Sequence, residues 1–189
     1  MEGIIKAVCI SEKKGTAKKN VKEAVLEEDH GIKGDAHAGK WHRQVSLLSE
    51  DRVKEFNERG GNAVPGDFGE NLLVAGIGFS HLPVGTIFSC GTVRLKMTQI
   101  GKECHSHCEI YHRVGDCIMP REGVFAEVIA GGRIKVGDRM EVRLPQENDV
   151  LTAAVVTLSD KGYAGQRKDT SGPRAAKILR EAGYEVVEQ

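Results

Sequence analysis

The stretch Gln99-Ile100-Gly101-Lys102-Glu103-Cys104-His105-Ser106-His107-Cys108 sets a thiol between a lysine and a histidine. Positive charge beside a thiol favours its thiolate, the form that carries sulfur as a persulfide or ligates a soft metal. Cys104 is therefore the candidate reactive group, with Lys102 and His105 as the residues that steady its negative charge. The alternative for any cysteine is an inert buried thiol. Cys9 and Cys90, set in apolar strand-like runs, read that way.

A second chemistry is open to the same segment. Cys104, Cys108, His112 and Cys117 are separated by three, three and four residues. On a helix the first three share one face, and Cys117 would complete a zinc ligand set. The spacing departs from the usual zinc patterns, and His112 taken alone fits a solvated helical position equally well. Further upstream, Lys40, His42 and Arg43 follow the Gly34-Asp35-Ala36-His37-Ala38-Gly39 turn. Backbone amides freed by glycine, with Arg and Lys donors beside them, suit a phosphate; the plain alternative is an exposed loop. Gly69-Glu70-Asn71-Leu72 reads as a turn around a buried Glu or as the wall of a site.

These residues need elements to place them. Strands are expected at Gly3 to Ile10, around Val25 and Leu26, at Gln44 to Leu48 and near Leu72 to Val74. Val93 to Thr98 alternates apolar and polar residues, so Gln99 begins at the end of a half-buried strand. One short helix is expected from a Ser49 cap, with Glu50 and Asp51 in its first turn, Val53 and Phe56 on one face and Gly60 or Gly61 at its end. The phrase Val84-Gly85 before one strand returns as Val136-Gly137 before another. Short strands with tight glycine turns predict a mainly β fold, a small closed or nearly closed barrel with a few helices.

Beyond Pro145 the grammar changes. Residues 146–151 read as a linker, and 152–189 as an incomplete β-α-β piece. Ala153 to Leu158 is a continuous apolar run, as in a buried parallel strand. A helix follows from a Ser171 cap, with Ala175, Ile178, Leu179 and Ala182 as its apolar face, and Tyr184 to Val187 opens another strand.

Composition narrows the function classes. Lys plus Arg and Asp plus Glu are both 27, a formal net charge of zero, which gives no footprint for nucleic acid or an anionic membrane. No run approaches the roughly 20 apolar residues of a bilayer span, and no signal peptide is read. Five cysteines, an odd count without a secretory signal, argue for a reducing, cytoplasmic setting rather than a disulfide framework.

Taken in order, Gly34-Asp35 with the loop from His37 to Arg43, Phe68-Gly69-Glu70-Asn71-Leu72, Val84-Gly85 and Gln99 through Cys104 resemble the MOSC domain over residues 1–145. The resemblance implies a β-barrel-like fold with Cys104 at the family's characteristic Cys position, linked in relatives to sulfur carriage as a persulfide or to ligation of molybdenum. It implies the molybdenum cofactor (molybdopterin) as ligand. Arg43, Lys40 and His42 would meet the pterin phosphate, with Asp35, Glu70, Asn71 and Gln99 as further cofactor-binding positions. The partners implied are a sulfur donor such as a cysteine desulfurase, and a molybdoenzyme or cofactor-biosynthesis protein. The alternatives are a molybdenum-dependent reductase of N-hydroxylated compounds and a zinc-stabilised module without catalysis. The chain lacks the additional N-terminal domain of the amidoxime-reducing relatives and shows no pyridoxal phosphate site. Residues 152–189, with Val156-Thr157-Leu158-Ser159-Asp160 and Asp169-Thr170-Ser171-Gly172-Pro173, resemble the opening of a molybdopterin adenylyltransferase. That family's Gly-Gly-Thr-Gly phosphate loop is absent, so adenylyl transfer is not expected.

Overall fold

A computed structural model describes residues 1–102, 111, 116–146, 151–159, 164–166, 168–181 and 184–188. Cys104, His105, Cys108 and His112 lie outside the described residues. The chain divides into two units, Met1–Pro145 and Gln146–Gln189.

In the first unit the strands are β1 (Glu2–Ile10), β2 (Lys19–Asn20), β3 (Glu23–Glu27), β4 (Gly31–Ile32), β5 (Val45–Ser49), β6 (Leu72–Ala75), β7 (Ile87–Cys90), β8 (Val93–Ile100), β9 (Val124–Ala130), β10 (Gly132–Lys135) and β11 (Arg139–Arg143). Helix α1 (Glu50–Glu58) follows β5 directly, and the single turn α2 (Met119–Glu122) precedes β9. Seven strands close a barrel in the order β1-β11-β7-β8-β9-β5-β6, with β6 returning to β1. Only β5 and β6 pair in parallel within it; α1 lies between them in sequence. β3, β4 and β10 form a separate small sheet.

The fold class expected from the short strands and glycine turns is the one observed. Closure leaves no unpaired edge among these seven strands, which removes the usual liability of a small sheet. Side chains from the strands fill the interior: Ile5, Val8, Leu47, Leu72, Phe88, Leu95 and Met97 belong to one buried cluster. A second cluster, with Ala7, Cys9, Leu48, Val53, Phe56, Phe68 and Phe125, brings β1 and β5 together with α1 and the loop before β6. This explains why all five residues of β5 are buried. Val45 and Leu47 join the first cluster, and Leu48 joins the second. Plain alternation would put Ile5, Ala7 and Cys9 of β1 on one face. Instead a register shift against β6 between Ile5 and Ala7 changes the parity, so Ile5 and Val8 share one cluster and Ala7 and Cys9 the other.

Helix α1 buries Val53 and Phe56 as their spacing predicts, but Ser49 makes no side-chain cap bond. Phe56 meets Phe68 edge to face at 5.1 Å, which anchors the loop before β6.

One buried amide joins three strands at a barrel end. Asn71 Oδ1 accepts from the Ser46 backbone N–H at 3.0 Å, and Asn71 Nδ2 donates to the Cys9 carbonyl at 2.9 Å. The Cys9 N–H returns to the Asn71 carbonyl at 2.7 Å.

In the second unit β12 (Leu151–Ala154) pairs in parallel with β13 (Tyr184–Glu188), and α3 (Ser171–Glu181) packs on β13. Three expectations are corrected here. The strand ends at Ala154, and Val156 and Leu158 stand 77% and 92% exposed. A continuous apolar run is buried only where a sheet is covered on both faces, and the described residues supply one helix and two strands. The buried side of α3 runs through Gly172 and Ala176, with Leu179 half-buried, while Ile178 is exposed. Ala182 lies outside the described residues. Asp169, rather than Ser171, accepts the first helical N–H groups, from Ser171 at 2.9 Å and Gly172 at 3.1 Å.

Asn71→Ala should lower the unfolding free energy by about 2–4 kcal/mol, because it strands a buried N–H and a buried C=O. Urea denaturation should show an earlier midpoint with an unchanged slope; an unmoved midpoint would remove Asn71 as the cross-link.

Candidate functional site

A cavity of about 260 Å³ opens where β1, β5, β6, β8 and β9 begin or end. Four stretches of chain converge on it. Gly15 to Lys18 comes from the β1–β2 loop, and His37, Trp41 and Arg43 come from the loop before β5. Asp67 to Gly69 and Asn71 precede β6, while Lys102 follows β8 and Cys117, Met119 and Pro120 lead into β9. Phe68 and Phe125 make apolar walls.

Two glycines permit this convergence. Gly66, at φ +95°, donates its N–H to Glu70 Oε1 at 2.6 Å and accepts from the Lys18 N–H at 3.0 Å. A Cβ there would collide with the Lys18 carbonyl. Gly101, at φ +67°, donates to the Gly123 carbonyl at 2.7 Å, and a Cβ would run into the Pro120 carbonyl. The first holds the Lys18 loop against the Glu70 turn; the second brings Lys102 to the cavity.

The polar side of the cavity rests on a buried ion pair. Lys18 Nζ lies 2.6 Å from Asp35 Oδ1, and both side chains are sealed from solvent. Asp35 Oδ1 also accepts from the Ser11 N–H at 2.9 Å, and Oδ2 accepts from the His37 N–H at 3.2 Å. Burial alone would raise the Asp35 carboxyl, but its close contacts with His37, the Lys18 ammonium and the Ser11 N–H outweigh it and hold it well below the ordinary carboxylate range. Burial pulls the Lys18 ammonium down, opposed chiefly by Asp35.

Glu70 is fully buried beside this pair. Burial pushes its carboxyl from 4.5 up to about 7, against the Gly66 N–H, with Asp67 adding to the rise. Its Oε2 has no hydrogen-bond partner among the described residues.

Arg43 supplies the second cation. Its guanidinium carbon sits 4.8 Å from the Trp41 ring centre and 5.8 Å from that of Phe125. Trp41 is itself pinned by its Nε1–H, which donates to the His37 carbonyl at 2.9 Å. The Arg43 Nε is sealed from solvent and has no hydrogen-bond partner among the described residues. Aromatic faces hold the charge in place but do not satisfy that donor.

Of the residues singled out in the sequence, Arg43, Asn71, Lys102 and Cys117 line the cavity, while Asp35 and Glu70 are buried next to lining residues. Asn71 spends its amide on strand cross-links. Lys40, His42 and Gln99 do not line the cavity. Lys40 pairs with Asp29 at 3.2 Å on the surface. His42 Nε2 meets Gln99 Oε1 at 3.0 Å, and Gln99 Nε2 donates to the Gly101 carbonyl at 2.7 Å. The roles of Cys104, His105, Cys108 and His112 fall outside the described residues. No three His, Cys, Asp or Glu groups gather in metal-binding geometry among those described. Cys9 and Cys90 are buried, and burial pushes their thiols up to about 12 and about 11, so neither is a nucleophile.

Lys18, His37, Trp41 and Phe125 escaped the sequence reading as site residues. Lys18 stands among Lys13, Lys14 and Lys19 and looks like one more solvated charge. Phe125 is one apolar residue in an apolar strand. Only the tertiary pairing with Asp35 and the stacking on Arg43 mark them out.

The cavity as a whole carries Lys18, Arg43 and Lys102 against Asp67, with aromatic walls beside them. With Asp35 offsetting Lys18, the lining combines the cations of Arg43 and Lys102 with flat apolar walls.

Because the folded Glu70 keeps its proton to a higher pH than the unfolded chain, its stabilising contribution is complete below about pH 4. It is lost as pH rises through about 7. The depressed Asp35 works in the opposite sense and only in stronger acid, so it does not enter this window. The thermal midpoint of Glu70→Gln should therefore gain on that of the wild type between pH 4.5 and 7.5. Parallel curves across that range would show that Glu70 ionises normally.

A family described as the MOSC domain matches residues 34–141. No curated protein matches the chain. Among solved structures, the YuaD protein from Bacillus subtilis is similar at 18% identity and a TM-score of 0.65, over 77% of this chain and 98% of that one. A hypothetical protein aligns at 22% identity and 0.61, over 98% and 85% of the two chains. YiiM from Escherichia coli aligns at 18% and 0.56, over 97% and 94%. At these identities the likeness shows the fold.

Proposed function

We propose that this chain, which belongs to the MOSC domain family, holds the molybdenum cofactor in the cavity and presents Cys104 to it for sulfur transfer. MOSC domains are associated with that cofactor. The observation that carries the reading is Arg43: a guanidinium held against aromatic rings, with a buried Nε that lacks an acceptor, at a cavity that also holds Lys18 and Lys102. The terminal N–H groups of that guanidinium suit a phosphate oxygen, and the flat pterin suits Trp41, Phe68 and Phe125. The residues present therefore fit the group.

When bound, the cofactor supplies a molybdenum centre that takes sulfur as a ligand. Arg43 would bind the phosphate, Lys18 would hold the neighbouring loop in place through Asp35, and the aromatic walls would exclude water. Lys102, adjacent in sequence to the Glu103-Cys104 pair, would favour the Cys104 thiolate. That thiolate attacks the outer sulfur of a donor persulfide, whose own thiolate departs, and it becomes a thiolate again when a recipient thiolate attacks the same outer sulfur in a second exchange of the same kind. A cysteine desulfurase is the class of donor, and a molybdoenzyme or cofactor-maturation protein the class of recipient. Residues 152–189 receive no catalytic role in this proposal, although their phrases resemble the start of an adenylyltransferase.

Protein loaded by a sulfur donor should release thiocyanate on treatment with cyanide, and Cys104→Ser should release none; equal release from both removes Cys104. Arg43→Met should reduce retention of the pterin, read by its fluorescence after oxidation, by about 10- to 100-fold, the worth of one charge-assisted hydrogen bond. Retention unchanged in Arg43→Met overturns the cavity assignment. Turnover of an N-hydroxylated substrate by loaded protein without sulfur release would replace sulfur transfer with the reductase reading. One zinc per chain and no pterin would replace both with a structural module.

A further inference from the structure

The Lys18–Asp35 pair has a third member that the proposed chemistry leaves unused. His37 Nδ1 lies 3.3 Å from Lys18 Nζ and 3.5 Å from Asp35 Oδ2. An ammonium offers only hydrogens, so Nδ1 must meet it with a lone pair, and the neutral ring then carries its hydrogen on Nε2. The competing arrangement, Nδ1–H donating to Asp35, is the longer contact, and Asp35 Oδ2 already accepts the His37 backbone N–H. The side chain is 31% exposed and lines the cavity, and Nε2 has no partner among the described residues. Asp35 faces Lys18 and opposes the loss of its proton, and Cys9, a neutral thiol, and Glu70 also face it.

We infer that Asp35 and Lys18 lock His37 as the Nε2–H tautomer, and that this N–H donates to an anionic oxygen of the ligand in the cavity. Lys18 and Asp35 are thus positioning residues, and His37 is a ligand contact. The tautomer follows from the protein alone; the donor role rests on the anion-binding reading above. The consequence is selectivity: at His37 the site takes an acceptor atom and turns away a donor, because a locked Nε2–H has no lone pair to give.

The full chain labelled with 15N-histidine tests both parts. Long-range proton–nitrogen correlation at neutral pH should show His37 protonated at Nε2 and bare at Nδ1. Lys18→Met should mix the two forms. A wild-type His37 protonated at Nδ1 overturns the lock, whether or not the variant folds. Inorganic phosphate, added as the probe, should shift the His37 signals of the wild type. His37→Gln, whose amide N–H replaces the Nε2–H, should keep the wild-type phosphate affinity, whereas His37→Ala should weaken it by about 3- to 10-fold, a neutral hydrogen bond. Equal affinity in wild type and His37→Ala overturns the donor role and leaves Arg43 and the cavity assignment standing. No phosphate binding to the wild type at all overturns the anion reading and the donor role together, while the tautomer is decided by the spectrum of the free protein.

Discussion

A single buried ion pair, Lys18 to Asp35 at 2.6 Å, governs how the loops of this barrel meet. Neither charge reaches water, so each is tolerated only while the other is present; losing one partner of such a pair costs about 3–5 kcal/mol. The pair ties the β1–β2 loop to the loop before β5, and the Ser11 N–H adds the end of β1 to the same carboxylate. Gly66 then draws the loop before β6 onto the Lys18 backbone. The cavity is what remains between loops held in this way. Its polar side is preorganised, because the groups that line it are fixed by bonds beneath it.

Two kinds of positive charge result. Lys18 is almost neutralised by Asp35 and acts mainly through direction. Arg43 is held by π faces, which attract its charge but accept no N–H bond in the plane of the guanidinium. A buried donor without an acceptor costs about 1–3 kcal/mol. The Arg43 Nε and the Glu70 Oε2, both buried without a partner among the described residues, lie within the same group of loops as the site. The wider barrel, by contrast, satisfies its polar groups through strand pairing and cross-links such as Asn71.

Much of the fold was legible in the residues. The alternation of Val93 to Thr98 became β8, the Val53 and Phe56 spacing became the buried face of α1, and the glycine-rich turns between short strands implied a barrel. Where the reading missed, a neighbour intervened. The shift within β1 changed which residues share a core, and the run to Leu158 stopped at Ala154 because nothing described covers it. In the site, Asp35 and Glu70 stood out by charge type next to glycine, and Arg43 by its charge in the loop that follows Gly39. Lys40 and His42 stood out for the same reason, yet turn to Asp29 and Gln99 instead.

By itself, the sequence determined element type, the closed mainly β character and the candidate Cys104 with its cationic neighbours, because these depend on periodicity and on residues close along the chain. Tertiary structure alone decided which cations share a cavity. Lys18 and Asp35 are 17 residues apart, and His42 and Gln99 are 57 apart. Over such separations a charge has no preferred partner until the backbone has closed, and burial then makes the choice by stabilising only those charges that find one.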